Sequence, residues 1–389
     1  MSAKTKLVRI TTVPVSLQKL LTGQMKFMKD NGFEVIMMSA DGPEISEVVT
    51  REGCPHIIIP LTRKITPLQD LKALYILIKH IRKIKPDIVH THTPKAGLIG
   101  MLAAFLTRVP IRIHTVAGLP LETQRGIKRK LLIAIEKITY WCANEVWPNS
   151  KSLYNFVLEH KLTNCDKLHI IGHGSTNGID VVEYDATILN ADILNEVKQK
   201  LNYSASYKYL LFVGRVVKDK GIEELVAVFK SLSAVFSNLK LIIVGPYEND
   251  LDPISSEVED EIKINPAIIS TGYSNYVKYY MHIADIFVFP SHREGFPNVL
   301  MQAALMDCPV AASRITGNVD IIEHQLNGLL FEKGNKTELY ASIERLLLDT
   351  DLTKIISSKL REKIIANFDR QVVHQLIKQR YNEFLLQKK

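Results

Sequence analysis

Two short stretches carry residue types suited to binding an anionic, hydroxyl-rich molecule. The first is Pro290-Ser-His-Arg-Glu294-Gly-Phe-Pro-Asn-Val-Leu-Met-Gln302. Glu294 supplies a carboxylate that accepts hydrogen bonds from a polyol. The second is Val213-Gly-Arg215-Val-Val-Lys-Asp-Lys220-Gly221. There Gly214 permits a tight turn, and Arg215 and Lys220 place two cations where a pyrophosphate can lie. Each stretch also has a plain reading: Glu294 as an acid favoured at a helix N-terminus, and Arg215 and Lys220 as solvated bases on a surface loop.

The flanking residues say which elements must hold these groups. Ala284-Asp-Ile-Phe-Val-Phe289 is an apolar run that predicts a buried strand, and Val299, Leu300, Ala303 and Ala304 recur at helical spacing behind Pro297. Glu294, Gly295 and Phe296 therefore fall at a strand-to-helix turn. Open α/β sheets bind ligands there, and a helix N-terminus offers free N–H groups to an anion. Arg215 and Lys220 likewise follow a strand-like run and open a helix.

Taken together, these stretches resemble the donor-sugar and diphosphate motifs of the retaining glycosyltransferases of family 4, the capsule and O-antigen type with the GT-B fold. The resemblance covers nearly the whole chain in motif order. It implies that Arg215 and Lys220 neutralise the departing nucleoside diphosphate, by electrostatics and without a metal. It implies that Gly214, Glu294, Gly295, Phe296, Pro297 and Asn298 hold the donor, with Tyr273 near the nucleotide base, although core packing is an equal reading for Tyr273. Family members usually carry a second Glu where this chain has Gln302. Gln still hydrogen-bonds a ribose diol but carries no charge. Many members also carry a donor-lining His where this chain has Ala117, and nearby His114 is not its substitute. The loop Thr11–Ser16, which in the family approaches phosphate through glycines, has none here.

Length and composition allow this architecture. The 389 residues are 46% hydrophobic and 23% charged, ordinary values for a folded chain of two domains. Strand-like and helix-like runs alternate twice. Strands are expected at 7–11, 34–38, 56–59, 87–90, 111–115, 145–147 and 168–171, then at 209–213, 239–244, 267–271, 285–289 and 309–312. Helices are expected at 16–31, 67–85, 95–107, 126–142 and 150–160, then at 221–236, 253–263, 276–283, 297–306, 336–348 and 370–387. That alternation argues parallel sheets covered on both faces. Gly172–Asp180 is polar and Gly-rich and reads as a linker; it lacks the dinucleotide spacing. The expectation is an α/β protein of two Rossmann-like, doubly wound domains with a cleft between them. Residues 1–175 would bind acceptor and 176–367 the nucleotide sugar. The resemblance implies that the last stretch, 368–389, crosses back onto the first domain.

Residues 1–180 hold 25 Lys+Arg against 14 Asp+Glu, and residues 181–389 hold 24 against 27. A basic first half suits nucleic acid, an anionic membrane surface or an anionic substrate. Gln124–Ile135 begins basic and continues apolar, and reads either as a membrane-facing helix or as an ordinary amphipathic one. His92 and Lys95, in His90-Thr-His92-Thr-Pro-Lys95, are candidate acceptor contacts. His90 and His92 share a strand face, which suits a satisfied or cleft-lining pair better than a metal site. The four cysteines are scattered and read as reduced core thiols. No leader is evident at the N-terminus, and the longest apolar run, 98–106, is far short of the roughly 20 residues of a membrane span.

The reading is a glycosyltransferase moving a hexosyl or N-acetylhexosaminyl group from a nucleotide sugar, UDP-sugar first, to a glycan on polyprenyl diphosphate. It needs no cofactor and no metal, and works in the cytoplasm or at the inner membrane face. Two rivals are a UDP-sugar epimerase of the same fold and a basic nucleic-acid-binding protein, though exposed aromatics interleaved with bases are not evident.

Overall fold

The computed structural model describes residues 4–122, 124–248 and 252–387. The chain divides into two compact units. One comprises residues up to Gly178 together with those from Arg370 onward; the other is Ile179–Asp369.

The first unit is built on six strands, β1 (Thr5–Ile10), β2 (Phe33–Ser39), β3 (His56–Ile58), β4 (Ile88–His92), β5 (Ile111–Val116) and β6 (Glu145–Pro148). They pair in parallel in the order β3-β2-β1-β4-β5-β6. Period-two alternation sends Val8 and Ile10 into one core and Leu7 into another, so both faces of the sheet are covered. The helix Arg370–Gln387 belongs to this unit, with Val373, Ile377 and Tyr381 buried among Leu7, Phe33 and Trp147.

The second unit repeats the scheme with β7 (Lys208–Val213), β8 (Leu239–Val244), β9 (Ile268–Gly272), β10 (Ile286–Phe289), β11 (Val310–Ser313) and β12 (Leu329–Phe331). Their order is β12-β11-β10-β7-β8-β9, again parallel. Strand order reverses between β7 and β10. Loops leaving the C-terminal ends of two such neighbours diverge and leave a crevice. Those two loops are 214–220 and 290–297.

Some local expectations change. Residues 168–171 form no strand; Leu168 makes a single bridge to Val146 at the sheet edge. The helix expected over 16–31 is two, Pro14–Leu20 and Gln24–Asp30, parted at Gly23 with φ 76°. Helices Ile45–Glu52, Ala191–Lys200 and Thr350–Phe368 and strand β12 went unread. Thr350–Phe368 abuts its neighbours at Asp349 and Asp369 with no Gly or Pro between, so no breaker marks its ends. Cys54, Cys142 and Cys308 are buried, whereas Cys165 is exposed.

Candidate active site

The loops after β7 and β10 meet at the strand-order reversal. Gly221 makes the meeting possible: its φ is +69°, and a Cβ there would lie 2.1 Å from the Pro290 carbonyl oxygen. The backbone N–H of His292 donates to the Asp219 carbonyl at 2.9 Å. Arg293 Nη2 donates to Asp219 Oδ2 at 3.3 Å. The His292 ring lies 3.0 Å from Glu224 Oε1, and this hydrogen bond raises the imidazole above its ordinary pKa.

Inside this clamp Lys220 Nζ forms an ion pair with Glu294 Oε1. Both side chains are mostly shielded, 14% and 15% exposed. Ser291 Oγ donates to the same carboxylate oxygen at 2.8 Å. The acid and one of the two cations are thus in direct contact. Arg215 instead pairs with Glu248 on the loop after β8, at 2.6 Å, and is more open to solvent. Gly214 stays out of the left-handed region.

Helix Asn298–Leu305 starts one residue later than expected, with Pro297 as its N-cap. Pro297 has no N–H, so the backbone donors at this turn come from Gly295, Phe296 and Asn298. The Phe296 ring is buried against Phe368, with centroids 5.2 Å apart. Its side chain therefore anchors the turn, and only its backbone is available to a ligand. Gln302 Nε2 donates to the Tyr184 hydroxyl at 2.6 Å. Tyr273 follows β9, is 63% exposed and bonds Asn275, so core packing is ruled out for it.

In the first unit the two acceptor candidates have other partners. Lys95 Nζ pairs with Asp70 at 2.7 Å and also bonds Thr62, Thr66 and the Lys64 carbonyl. An ammonium has three protons, and all are engaged with the 62–66 loop and the first turn of helix Pro67–Ile84. His92 is buried. Its ring stacks on His90 with centroids 4.3 Å apart, and Arg9 Nη1 donates to His90 Nδ1 at 2.9 Å and to His92 Nε2 at 2.7 Å. Burial first, then the Arg9 charge, holds both imidazoles well below their ordinary pKa. The pair is neutral and held by a guanidinium, with His92 Nδ1 buried and left without a hydrogen-bond partner among the described residues. His90 also meets the Tyr381 hydroxyl at 2.6 Å, which ties helix Arg370–Gln387 to the sheet. Sequence reasoning missed Arg9; its signal was a cation flanked by Leu7, Val8 and Ile10 in strand β1. It also missed Thr12 and Thr93, whose hydroxyls meet at 2.7 Å where β1 and β4 diverge, with Thr93 held at φ 71°. His114 is buried with its ring 2.8 Å from Thr91 Oγ1, and burial lowers it to about 3.

Chemically, the crevice of the second unit offers a shielded acid, one cation against it, a second cation nearby and a helix N-terminus. That set suits a hydroxyl-bearing ring joined to a diphosphate.

Comparison with known proteins agrees with this reading. Residues 195–368 match the family model "Glycosyl transferases group 1", and residues 21–173 match "Glycosyl transferase 4-like domain". The chain is 35% identical over 384 residues to the capsular polysaccharide biosynthesis glycosyltransferase CapM of Staphylococcus aureus, spanning 98% of this chain and 97% of that one. It is 23% identical over 374 residues to the UDP-Gal:alpha-D-GlcNAc-diphosphoundecaprenol alpha-1,3-galactosyltransferase of Escherichia coli, spanning 94% of each. Among solved structures, a Rickettsia africae glycosyltransferase superposes with TM-score 0.80 at 22% identity, over 98% of this chain and 99% of the other. Anabaena HepE in complex with UDP and glucose gives 0.82 at 18%, over 97% and 100%. At such identities the structures speak for the fold alone, the GT-B architecture of two doubly wound units.

Proposed function

This chain belongs to the group 1 glycosyl transferases, and from that premise we propose that it moves a hexosyl or N-acetylhexosaminyl group, with retention, from a UDP-sugar to a hydroxyl of a glycan carried on polyprenyl diphosphate. The observation that carries the proposal is the Lys220–Glu294 pair at the strand-order reversal of the second unit. The names of two relatives support the acceptor class: the Escherichia coli enzyme and a Campylobacter jejuni transferase, 22% identical, both use diphosphoundecaprenol-linked glycans.

In this reading donor binding splits the pair. Lys220 turns to the diphosphate, and Glu294 is freed to accept from hydroxyls of the sugar. Arg215 leaves Glu248 for the diphosphate in the same way. The amides of Gly295, Phe296 and Asn298 add donors, and Gln302 reaches the ribose in place of Tyr184. The bond from the anomeric carbon to the phosphate oxygen breaks, and one from the acceptor oxygen forms on the same face. The acceptor proton passes to the departing phosphate. The protein's part is to stabilise charge on that leaving group. Two fixed cations and a helix N-terminus meet that need, so no metal is assigned. A lipid-borne acceptor places the reaction at a membrane surface.

The test is to incubate the protein with UDP- and GDP-sugars, with and without synthetic polyprenyl-diphosphate glycans, and follow products by NMR. Transfer from a UDP-sugar with the donor's anomeric configuration kept is expected. Turnover of a UDP-sugar without acceptor would instead favour the epimerase, and inversion would remove the proposed mechanism.

A further inference from the structure

Glu294 cannot hold its own loop in place while it serves a sugar. Its carboxylate takes the Lys220 ammonium and the Ser291 hydroxyl. Ser291 belongs to the same loop, so of these two contacts only Lys220 crosses to the loop after β7. In the transferase reading, donor binding removes that crossing. The tie between loops 290–297 and 214–220 must then come from the residues just before Glu294.

Asp219 receives part of it. Its carbonyl accepts from the His292 backbone N–H at 2.9 Å and from Ser291 Oγ at a long 3.4 Å, and its carboxylate accepts from Arg293 at 3.3 Å. None of these contacts changes charge near neutral pH. The His292 ring, 3.0 Å from Glu224 Oε1, is different. Glu224 stands in the first turn of helix Ile222–Val235, which begins directly after Gly221, and the helix dipole favours a carboxylate there. Burial opposes its charge, but hydrogen bonds from His292 and the backbone outweigh burial and hold it below its ordinary pKa. A carboxylate only accepts, so His292 Nε2 carries the proton and donates.

The two side chains are 30% and 19% exposed, so the pair is partly shielded from salt. Other charges also face it. Asp219 favours the imidazolium; Lys333, ahead of helix Lys336–Leu348, opposes it. Lys336, at the start of that helix, acts on Glu224. Arg293 is the ring's chain neighbour, with Glu294 beyond it. The balance favours the imidazolium. A charged N–H donor to a carboxylate is roughly twice as strong as a neutral one, so this tie changes strength within the range where histidines titrate.

We propose that His292 is a positioning residue for the donor: through Glu224 it holds the Glu294 loop to the start of helix Ile222–Val235 once Lys220 has turned to the diphosphate. The inference rests on the transferase reading of the Lys220–Glu294 pair. In the free protein that pair bridges the loops, and the His292 tie is partly redundant. In the donor-bound protein the tie carries more of the load. Protonation of His292 and donor binding are therefore coupled, and each strengthens the other by the same factor. Donor affinity is full below the His292 titration and falls as pH rises through it.

The test is calorimetric titration of UDP into the full chain between about pH 6.5 and 9, with wild type, His292→Gln and Glu224→Gln. Gln keeps a donor at position 292 but has no titrating proton. Ionisation of UDP itself is common to all three proteins, so the ratio of dissociation constants is the readout. At the acid end wild type should bind about fivefold more tightly than either variant, and at the alkaline end the three should converge. In the unaltered protein, the imidazole resonance that His292→Gln removes from the NMR spectrum should titrate at higher pH with UDP than without it. Melting curves show that the variants are folded. Parallel pH profiles for wild type and His292→Gln, or a His292 resonance whose titration UDP leaves in place, overturn the inference, while UDP binding itself still upholds the donor site. UDP bound by none of the proteins at any pH fells the donor reading, and this inference with it.

Discussion

Replacing Lys220 by Met removes a cation while keeping the length and apolar stem of the side chain. Its consequences for stability and for catalysis differ, and that difference separates a structural ion pair from a working one. Breaking a fully buried pair costs about 3–5 kcal/mol, because one charge is left without a partner. Here both groups are slightly exposed and Ser291 still donates to Glu294, so the loss should be smaller, about 2–3 kcal/mol. In a unit of this size that lowers the melting temperature by roughly 4–12 °C. Glu294→Gln should cost a similar amount. The double variant Lys220→Met with Glu294→Gln leaves neither charge stranded, and should be more stable than the sum of its parents by about 1–3 kcal/mol. Transfer behaves otherwise. Loss of a fixed donor to developing charge lowers turnover by about 10²–10³-fold, and the double variant regains none of it. Melting curves and single-turnover transfer on the four proteins complete the cycle. If the double variant recovered activity along with stability, or if Lys220→Met stayed within about tenfold of wild type, the pair would be scaffolding and the donor site would lie elsewhere.

Gly221→Ala should cost about 2–4 kcal/mol and lower donor affinity, because the new methyl meets the Pro290 carbonyl in a left-handed residue and pushes the two loops apart; melting temperature and UDP titration report both effects. Glu136 is pushed up to about 7 by burial, against a lowering from the Tyr140 hydroxyl. Its folded form therefore keeps a proton that the unfolded chain has released, and stability falls as pH rises from the ordinary carboxyl range towards 7. Glu136→Gln should raise stability at pH 8 by about 2–3 kcal/mol and leave it nearly unchanged at pH 4, as denaturant melts at the two pH values will show. Transfer should persist in EDTA, since Lys220, Arg215 and helix amides meet the diphosphate charge; complete loss, restored by one divalent cation, would overturn that part of the proposal. UDP at about 100 times its Kd should stabilise wild type by about 2.7 kcal/mol and the Lys220→Met variant far less, read by thermal shift.

Much of the donor loop was legible because its signals are local. Pro297 between an apolar run and a small-residue helix marks the turn, and Gly-Arg-x4-Lys-Gly marks a second turn of the same kind. Arg9 was overlooked because a cation in a strand looks like an edge residue until its partners are known. Those partners, His90 and His92, Gln24 and Tyr381, come from three separate elements. The partner of Lys95 was hidden for the same reason. Asp70, which occupies it, lies 25 residues away in the chain and on another helix. Tyr273 was balanced between core and ligand, and only its neighbours' positions could decide.

From the sequence alone come the doubly wound architecture, the boundaries of most strands and the placing of both cationic and acidic loops at strand-to-helix turns. Periodicity and turn chemistry act over a few residues, so they can be read without knowing the fold. The contact between Lys220 and Glu294 spans 74 positions. It exists because β7 and β10 lie side by side in the sheet and Gly221 lets their loops close. The same holds for Arg215 choosing Glu248, and for the final helix packing on the first sheet through Tyr381. Strand order and side-chain burial are properties of the whole packed unit, and no window of the chain contains them.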